Sequence, residues 1–247
     1  MPTRCILKPT IQAKYTKEQF CRQTTYVAYL TENNMKKMTA FALCCVLLAF
    51  ASTATAAENA LPKPATEGGK GVLAAINSRA SAIRDKFPAN PVNMQDLSTL
   101  LWAASGRNRG GNGWTVPVAM GRDPYCTVYV AKPDGVFRYD GKNHSLAEIS
   151  KENILAGITS QTFVANVPVV LIFVIDGKRI SEFGDPVRRA SFGYLLTGAM
   201  TENVYLAADS LNISVRYMAT LNEDFVRSKL GLPADDTPVC IMPMGRR

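Results

Sequence analysis

The single histidine of this sequence limits the acid–base and metal chemistry that histidine could support. His144 is the only histidine among the 247 residues, and it stands in the turn-like stretch 141–144. A Ser-His-Asp arrangement needs a histidine placed as the base, and a zinc site needs several histidine or cysteine ligands. We expect His144 to be exposed and inert, and we expect no metal site.

The cysteines do not form a recognisable motif. Cys126 and Cys240 are the only two after residue 56, and no C-x-x-C pattern occurs. In an oxidising compartment they could form one disulfide, but a buried unpaired cysteine is also an ordinary state, so both alternatives stay open. The glycine-rich stretch 110–113 lacks the Lys-Ser/Thr that follows a phosphate-binding P-loop.

Residues 35–56 have the three parts of a secretion signal in order. Lys36 and Lys37 form a short positive segment, 41–51 is an apolar run, and Ala54-Thr55-Ala56 has the small-x-small pattern of a cleavage site. The run is about half the roughly 20 residues that a membrane-spanning helix needs. We therefore predict export, with a retained anchor as the alternative and no stable membrane insertion after the signal is removed.

A signal normally starts at its own methionine, here Met35, so residues 1–34 are interpreted as an upstream extension or a misassigned start. Residues 1–56 hold seven of the 28 lysines and arginines and two of the 20 acidic residues, so their removal lowers the net charge from +8 to +3. So small a charge gives no support to a nucleic-acid partner. About 190 residues remain, enough for one domain with a substantial core.

The first half of the mature chain predicts two helices and a long loop. Residues 57–71 carry prolines and glycines and are predicted to be a passive linker. Apolar residues every three or four positions predict a helix over 72–84, and Asn93 is a good N-cap for a second helix ending near Ala104. The glycine-rich stretch 105–125 is longer than most connections in compact domains, which is typical of functional loops.

The second half predicts the sheet. Residues 126–131 and 136–139 flank a Lys-Pro-Asp-Gly turn and predict a hairpin, and the apolar run 167–175 predicts a strand buried on both faces at the sheet centre. We expect a helix over 146–157 between them.

Asp185-Pro186 opens the longest predicted helix, which reaches about Ser210. Its apolar stripe is predicted to comprise Phe192, Leu196, Ala199, Asn203 and Leu206, with Asn203 as a polar, structural exception. A strand near 213–219, a short helix over 222–230 and a strand at 238–243 complete an α+β order.

Six segments add a resemblance to a known family. They read LSTLLWAASG at 97–106, NR at 108–109, TVPVAM at 115–120, GVFRYD at 135–140, ENVYLAA at 202–208 and PMGR at 243–246. In this order they resemble the FMN-dependent nitroreductase family, most closely its short bacterial branch similar to the azoline/peptide dehydrogenases. The resemblance covers 72–247, which would form the nitroreductase-like domain. It implies a mostly antiparallel central sheet flanked by helices, in an intertwined homodimer with FMN at the subunit interface.

The resemblance also implies a phosphate site. The family grips the FMN phosphate with an Arg-x-Ser-x-Arg segment at the end of the first helix, because guanidinium groups match phosphate oxygens. Arg79, Ser81 and Arg84 are the matching residues, although Ile83 occupies the position of the second arginine and Arg84 comes one residue later. Gly245 and Arg246 match a second phosphate-binding position after the last strand.

The loop that the family lays against the flavin ring matches Asn108 and the segment Pro117, Val118 and Ala119. The family usually has Pro-Ser-Ala there, so Val118 removes a hydroxyl near the ring while backbone donors remain. No catalytic side chain is assigned, because FMN itself carries the redox chemistry.

The predicted function is that of an exported, periplasmic FMN-dependent oxidoreductase. It would pass two electrons by ping-pong exchange from a small-molecule donor to an acceptor such as a nitroaromatic or a quinone. The shifted arginine and Val118 leave an alternative, a non-catalytic flavin- or ligand-binding protein with a degenerate nitroreductase fold.

Overall fold

The computed structural model describes residues 58–247. The expectations for a signal at 35–56 and for residues 1–34 lie outside the described residues. The strands are β1 (Glu58–Ala60), β2 (Arg107–Asn108), β3 (Gly113–Trp114), β4 (Cys126–Lys132), β5 (Gly135–Asp140), β6 (Ser145–Ser150), β7 (Val169–Ile175), β8 (Ile213–Val215) and β9 (Thr237–Arg246). The α-helices are α1 (Val72–Ser78), α2 (Met94–Ser105), α3 (Gly177–Ile180), α4 (Pro186–Ser210) and α5 (Glu223–Leu230). None of these helices is long and apolar enough to cross a membrane.

Seven strands form one antiparallel sheet. Its order is β1-β6-β5-β4-β7-β9-β8, and β2 pairs separately with β3. The predicted hairpin is β4 and β5, and every residue of β7 is buried, as expected for the apolar run at 167–175. The predicted α+β fold, with helices flanking a mostly antiparallel sheet, is confirmed.

The two faces of the sheet pack against different layers. Val128 and Val130 of β4 face the core that α2 and α4 cover, whereas Tyr129 and Ala131 face the core that α5 covers. This alternation follows from the two-residue period of a strand. Gly193 lets α4 approach the sheet closely, because a Cβ atom there would collide with the side chain of Ile175.

The first helix ends earlier than the apolar spacing predicted. Helix α1 stops at Ser78, and the chain then extends so that Ser81 forms a bridge with Val215 of β8. The Ala82 amide donates to the Val215 carbonyl at 2.9 Å. Pairing with the sheet therefore replaces the helix over 79–84, and only Ala75 of α1 is buried.

The predicted helix at 146–157 is wrong. Residues 145–150 form β6, which pairs with β5 on one side and with β1 on the other. Helix propensity is a weak preference, and pairing on both edges outweighs it here. A short 3-10 turn at Leu155–Gly157 is the only helical part of that range.

Helix α4 has the predicted start and end, with Asp185 as N-cap and Pro186 in the first turn. Its buried face is displaced from the predicted stripe, and Leu196 is the only residue common to both. The buried residues are Gly193, Leu196, Thr197, Met200, Thr201, Val204, Tyr205, Ala208 and Asp209. The prediction counted only large apolar residues. It therefore overlooked the small and hydroxyl-bearing residues of the buried face, which allow α4 to pack closely against the sheet.

Residues 58–65 differ from the passive linker expected over 57–71. Residues 58–60 form the edge strand β1. The Ala65 amide donates to Thr99 Oγ1 at 3.0 Å, and Gln95 of α2 donates to the Lys63 carbonyl at 2.8 Å. The segment is therefore part of the folded domain.

His144 is half-buried and hydrogen-bonded, contrary to the expectation that it would be exposed. Its Nδ1 atom lies 2.9 Å from the Tyr139 hydroxyl, and its Nε2 atom lies 2.7 Å from Ser98 Oγ and 3.1 Å from the Pro62 carbonyl. Burial lowers the pKa of His144. The ring joins residues 58–65 to α2 and to the β5–β6 turn.

Candidate functional site

The segment that follows α1 is fixed against α4. Arg79 Nε lies 3.2 Å from Glu202 Oε1, and the guanidinium lies 4.7 Å from the centre of the Tyr205 ring. Ser81 Oγ lies 2.6 Å from the Tyr205 hydroxyl. Arg79 and Ser81 are nevertheless exposed residues, so a ligand can reach both.

Tyr205 leaves the hydroxyl of Ser81 available as a donor. The Tyr217 amide donates to the Tyr205 oxygen at 2.7 Å. Tyr205 can then give its own hydrogen to Ser81 Oγ, and the Ser81 hydrogen is free to point at an anion. Sequence analysis missed Tyr205, although it lies in the segment 202–208 that carried the family resemblance.

Arg216 is a second cation that the sequence analysis missed. It follows β8, and its Nη1 atom donates to the Ala82 carbonyl at 2.9 Å, one residue from Ser81. Its Nε atom is buried and has no hydrogen-bond partner within residues 58–247. Arg84 lies on the nearby 3-10 turn Arg84–Lys86 and makes no ion pair within the described part of the chain.

The last strand brings the carboxyl end of the chain to the same region. Val215 pairs with Met244, and Ser214 pairs with Gly245. A Cβ atom on residue 245 would collide with the Pro88 carbonyl, so this close approach requires glycine. The Arg246 guanidinium is not free, because it forms an ion pair with the carboxylate of Asp96, a buried residue on α2.

Asp209 forms hydrogen bonds with the residues next to Arg79 and Arg246. Its carboxylate accepts hydrogen bonds from Ser78, which precedes Arg79, and from Arg247, which follows Arg246. The hydrogen bond from Lys70, followed by that from Ser78, lowers the pKa of Asp209 to about 2. The carboxylate is therefore ionised at neutral pH and has a positioning role.

The loop 105–125 presents the remaining predicted residues. Asn108 pairs with Gly113, and its Oδ1 atom is buried and has no hydrogen-bond partner among the described residues. Pro117 is exposed, whereas Val118 and Ala119 are half-buried and pack on the core. Asn203 holds the loop by donating to the carbonyls of Ala103 and Thr115, each at 3.1 Å.

The predicted residues thus fall into two groups. Arg79, Ser81 and Gly245 lie around the β8–β9 edge, where Arg84 and the paired Arg246 also stand. Asn108 and residues 117–119 belong to the loop, and no hydrogen bond or ion pair within residues 58–247 joins them to Arg79 or Ser81. Both groups contact α4. Tyr205 contacts Arg79 and Ser81, and Asn203 binds the loop.

The donor set suits a phosphorylated ring compound. Guanidinium groups and a free hydroxyl are the ligands that bind phosphate in proteins. The unpartnered Asn108 Oδ1 is an acceptor for a ring N–H group. The described residues hold no group of three or more His, Cys, Asp or Glu side chains placed to bind a metal ion. Cys126 and Cys240 are both free and buried, so the disulfide alternative is not realised.

Comparisons with known proteins agree with this fold. The model of the Nitroreductase family matches residues 76–246. A crystal structure of a protein from Ralstonia eutropha JMP134, described as a nitroreductase, is 31% identical, with a TM-score of 0.71 over 79% of this chain and 92% of that one. No curated protein sequence matches.

Two more distant structures share the fold. Nitroreductase A from Vibrio parahaemolyticus is 21% identical, with a TM-score of 0.52 over 71% of this chain and 66% of that one. A chain of the Escherichia coli microcin synthetase McbBCD complex, bound to truncated pro-MccB17, is 16% identical, with a TM-score of 0.56 over 77% of this chain and 79% of that one.

The antiparallel sheet, the long helix and the arginine-bearing edge define an α+β protein of the nitroreductase-like class. The chain belongs to the Nitroreductase family.

Proposed function

We propose that the protein is an FMN-dependent oxidoreductase. It would pass two electrons in ping-pong order from a small-molecule donor to an acceptor such as a nitroaromatic or a quinone. The observation that carries the proposal is the accessible Arg79–Ser81 segment, which Tyr205 fixes beside the unpartnered guanidinium nitrogen of Arg216.

The residues have separate tasks in this proposal. Arg79, Arg84 and Arg216 would balance the phosphate charge, and Ser81 would donate a hydrogen bond to a phosphate oxygen. Asn108 Oδ1 would accept from a ring N–H, and the half-buried Val118 would shield the ring from water. FMN, when bound, supplies the redox chemistry itself. Arg246 would orient Asp96 and the end of β9, because its charge is already paired.

We also propose a homodimer. Ten large hydrophobic side chains are exposed within residues 58–247, and six of them lie on α1 and α4, namely Val72, Leu73, Ile76, Val187, Tyr194 and Leu195. Exposed apolar surface of this kind marks an interface with another protein chain. A second copy on these helices would allow the loop 105–125 of one chain to complete the arginine site of the other.

Export through a signal at 35–56 is part of the same proposal and would place the enzyme in the periplasm. Nicotinamide cofactors are scarce there, so the donor would be a different reductant. Sequencing the amino terminus of the protein recovered from the periplasm tests this. A start at residue 57 supports export, and soluble cytosolic protein that retains residues 35–56 contradicts it.

FMN binding tests the site. The purified protein is titrated with FMN, and retention of flavin through gel filtration is followed by visible absorbance. We expect Arg79→Ala to weaken binding by about 10- to 100-fold, the effect of losing a hydrogen bond of about 1.5–3 kcal/mol to a charged group. Arg138→Ala is the matched control, because Arg138 is an exposed arginine on β5 without an ion pair. Equal FMN affinity in the two variants would contradict the assigned site.

A further inference from the structure

Residues 58–65 form a strap across one edge of the domain. The strap includes the edge strand β1, which pairs with β6, and its Leu61 side chain packs against the core. The Leu61 amide donates to the His144 carbonyl at 3.1 Å, and the Ala65 amide donates to Thr99 Oγ1 at 3.0 Å. The strap therefore lies on two parts of the domain, the β5–β6 turn and helix α2.

The strap is held by few contacts. Strand β1 is only three residues long and stands at the end of the sheet order, so it pairs with β6 alone among the described strands. Residues 59–65 are exposed or half-buried. A segment with short pairing and little buried surface opens locally at a lower free-energy cost than unfolding of the whole domain. The hydrogen bonds at Pro62 are therefore a substantial part of its attachment.

The ring of His144 uses both of its nitrogens in the neutral form. A carbonyl oxygen only accepts, so Nε2 carries the hydrogen and donates to the Pro62 carbonyl at 3.1 Å. Ser98 of α2 also donates to that carbonyl. Nδ1 is then the acceptor for the Tyr139 hydroxyl at 2.9 Å. A single neutral tautomer thus connects the strap to β5.

Protonation of the ring disturbs this arrangement. An imidazolium carries a hydrogen on both nitrogens, so Nδ1 can no longer accept from Tyr139. Tyr139 is only 5% exposed, and its hydroxyl would have to direct its hydrogen elsewhere within a buried site. Burial lowers the pKa of His144, and the hydrogen bond to Pro62 opposes this shift to a smaller extent. Solvation of the charged ring therefore favours an open strap.

Charged residues near the ring do not neutralise it. They are Lys63 of the strap, Asp96 of α2, Asp140 at the end of β5, Lys142 in the β5–β6 turn and Glu148 of β6. Asp96 is paired with Arg246, and Asp140 accepts hydrogen bonds from the amides of its own turn. His144 forms no ion pair within residues 58–247, so a positive charge on its ring would be uncompensated in the closed strap.

We propose that His144 is a pH-sensitive switch for the strap. The neutral ring holds residues 58–65 on α2, and protonation favours a state in which the strap has opened and the ring is in water. Helix α2 continues into the loop 105–125, so opening removes a support from the helix that leads to this loop. The switch does not require a bound flavin.

Hydrogen exchange of the strap amides tests the switch. We expect the Leu61 and Ala65 amides of the purified protein to exchange by local opening, at rates that low urea concentrations leave unchanged. After correction for the intrinsic effect of pH, their protection should fall about three- to tenfold between pH 7.5 and 5.5. A free histidine, with a pKa of about 6.5, favours the open state by up to about tenfold at pH 5.5. The Leu232 amide, which donates to the Arg227 carbonyl at the end of α5, should show no such change.

His144→Asn is the deciding variant. His144 has a φ of 52°, in the left-handed region, and asparagine tolerates this conformation. Asparagine does not titrate, so the strap amides of the variant should be insensitive to pH between 5.5 and 7.5. Thermal unfolding verifies that the variant is folded.

Three results would overturn the proposal. Strap amides as strongly protected as the amide of Leu171 in the buried strand β7 would show that the strap opens only when the whole domain unfolds. Protection independent of pH in the unaltered protein would show that opening does not release His144. An unchanged pH dependence in folded His144→Asn would assign the effect to another group.

Discussion

The carboxylate of Asp209 accepts a 2.7 Å hydrogen bond from the ammonium group of Lys70, which lies 139 positions earlier in the chain. Asp209 is only 3% exposed, and Ser78 and Arg247 donate to the same carboxylate. One side chain at the end of α4 thus joins the segment before α1, the end of α1 and the carboxyl terminus. Because Arg79 and Arg246 are the next residues, this junction supports the proposed cofactor site.

Asp209→Asn should destabilise the protein by about 1–3 kcal/mol, the cost of leaving buried polar groups without their partner. The free energy of unfolding in urea measures the loss. Asp134→Asn is the control, because Asp134 is an exposed residue that pairs with Lys132 at 3.1 Å, and such surface pairs contribute at most about 1 kcal/mol. Equal losses in the two variants would contradict a special role for Asp209.

The contribution of Asp209 should disappear in acid. Its pKa is about 2 in the folded protein and about 3.8 as a free side chain, so the unfolded chain takes up the proton first. The stabilisation is therefore complete above about pH 4 and decreases as the pH falls toward about 2. The difference in unfolding free energy between the unaltered protein and Asp209→Asn should decrease over that range. A constant difference would show that Asp209 is not ionised and bonded as described.

His144 should make stability depend on pH near neutrality. Burial lowers its pKa below the value of 6.5 for a free side chain, so the unfolded chain binds a proton before the folded one does. Stability is then greatest above about pH 6.5 and falls at lower pH. His144 is the only histidine, so His144→Gln should flatten the dependence between neutrality and pH 5.5. An unchanged slope in this variant would contradict the assigned network.

The hydroxyl of Ser81 should matter for FMN and not for riboflavin, which has no phosphate. Ser81→Ala should weaken FMN binding by a factor of about three to ten, the effect of one hydrogen bond of about 0.5–1.5 kcal/mol. Ser81→Thr keeps the hydroxyl and serves as the control. Fluorescence titration with both flavins measures the difference. Equal losses for FMN and riboflavin would show that Ser81 does not contact the phosphate.

The dimer proposed above should depend on the exposed face of α1 and α4. Leu195 is 72% exposed, so Leu195→Glu places a charge on this face without disturbing the core. Light scattering after gel filtration should report a dimer for the unaltered protein and a monomer for this variant. Ile149→Glu puts the same charge on the outer sheet face and should stay dimeric. A monomeric unaltered protein would contradict the proposed interface.

Sequence patterns correctly predicted the helices and strands that have clear end signals or apolar runs and that pack in the fold as those patterns indicate. The long helix α4 has an Asp-Pro start, and β7 is an uninterrupted apolar run, so both were predicted closely. Residues 79–84 and 146–150 were predicted to lie in helices from the local sequence alone. Their strand pairings, to Val215 and to β1 and β5, involve residues distant in sequence, and no local pattern reports them.

The site was predicted from resemblance more than from residue chemistry. Arg79 and Ser81 matched a family segment, but Tyr205 and Arg216 act through contacts that cross from the end of α1 to α4 and β8. For Arg246 the resemblance gave the wrong expectation. Its sequence position suggested a free cation that could bind phosphate, but in the fold it pairs with Asp96, 150 residues earlier in the chain. The sequence alone does not indicate which oppositely charged residues the fold brings into contact.

The most direct test of the central claim is redox cycling of bound flavin. The protein is loaded with FMN, freed of unbound flavin by gel filtration, reduced with dithionite under anaerobic conditions, and then mixed with a quinone or a nitroaromatic. We predict that flavin elutes with the protein, bleaches on reduction, and regains its visible absorbance faster than free FMN at the same concentration. Protein that elutes without flavin, or bound flavin that reoxidises no faster than free FMN, would contradict an FMN-dependent oxidoreductase.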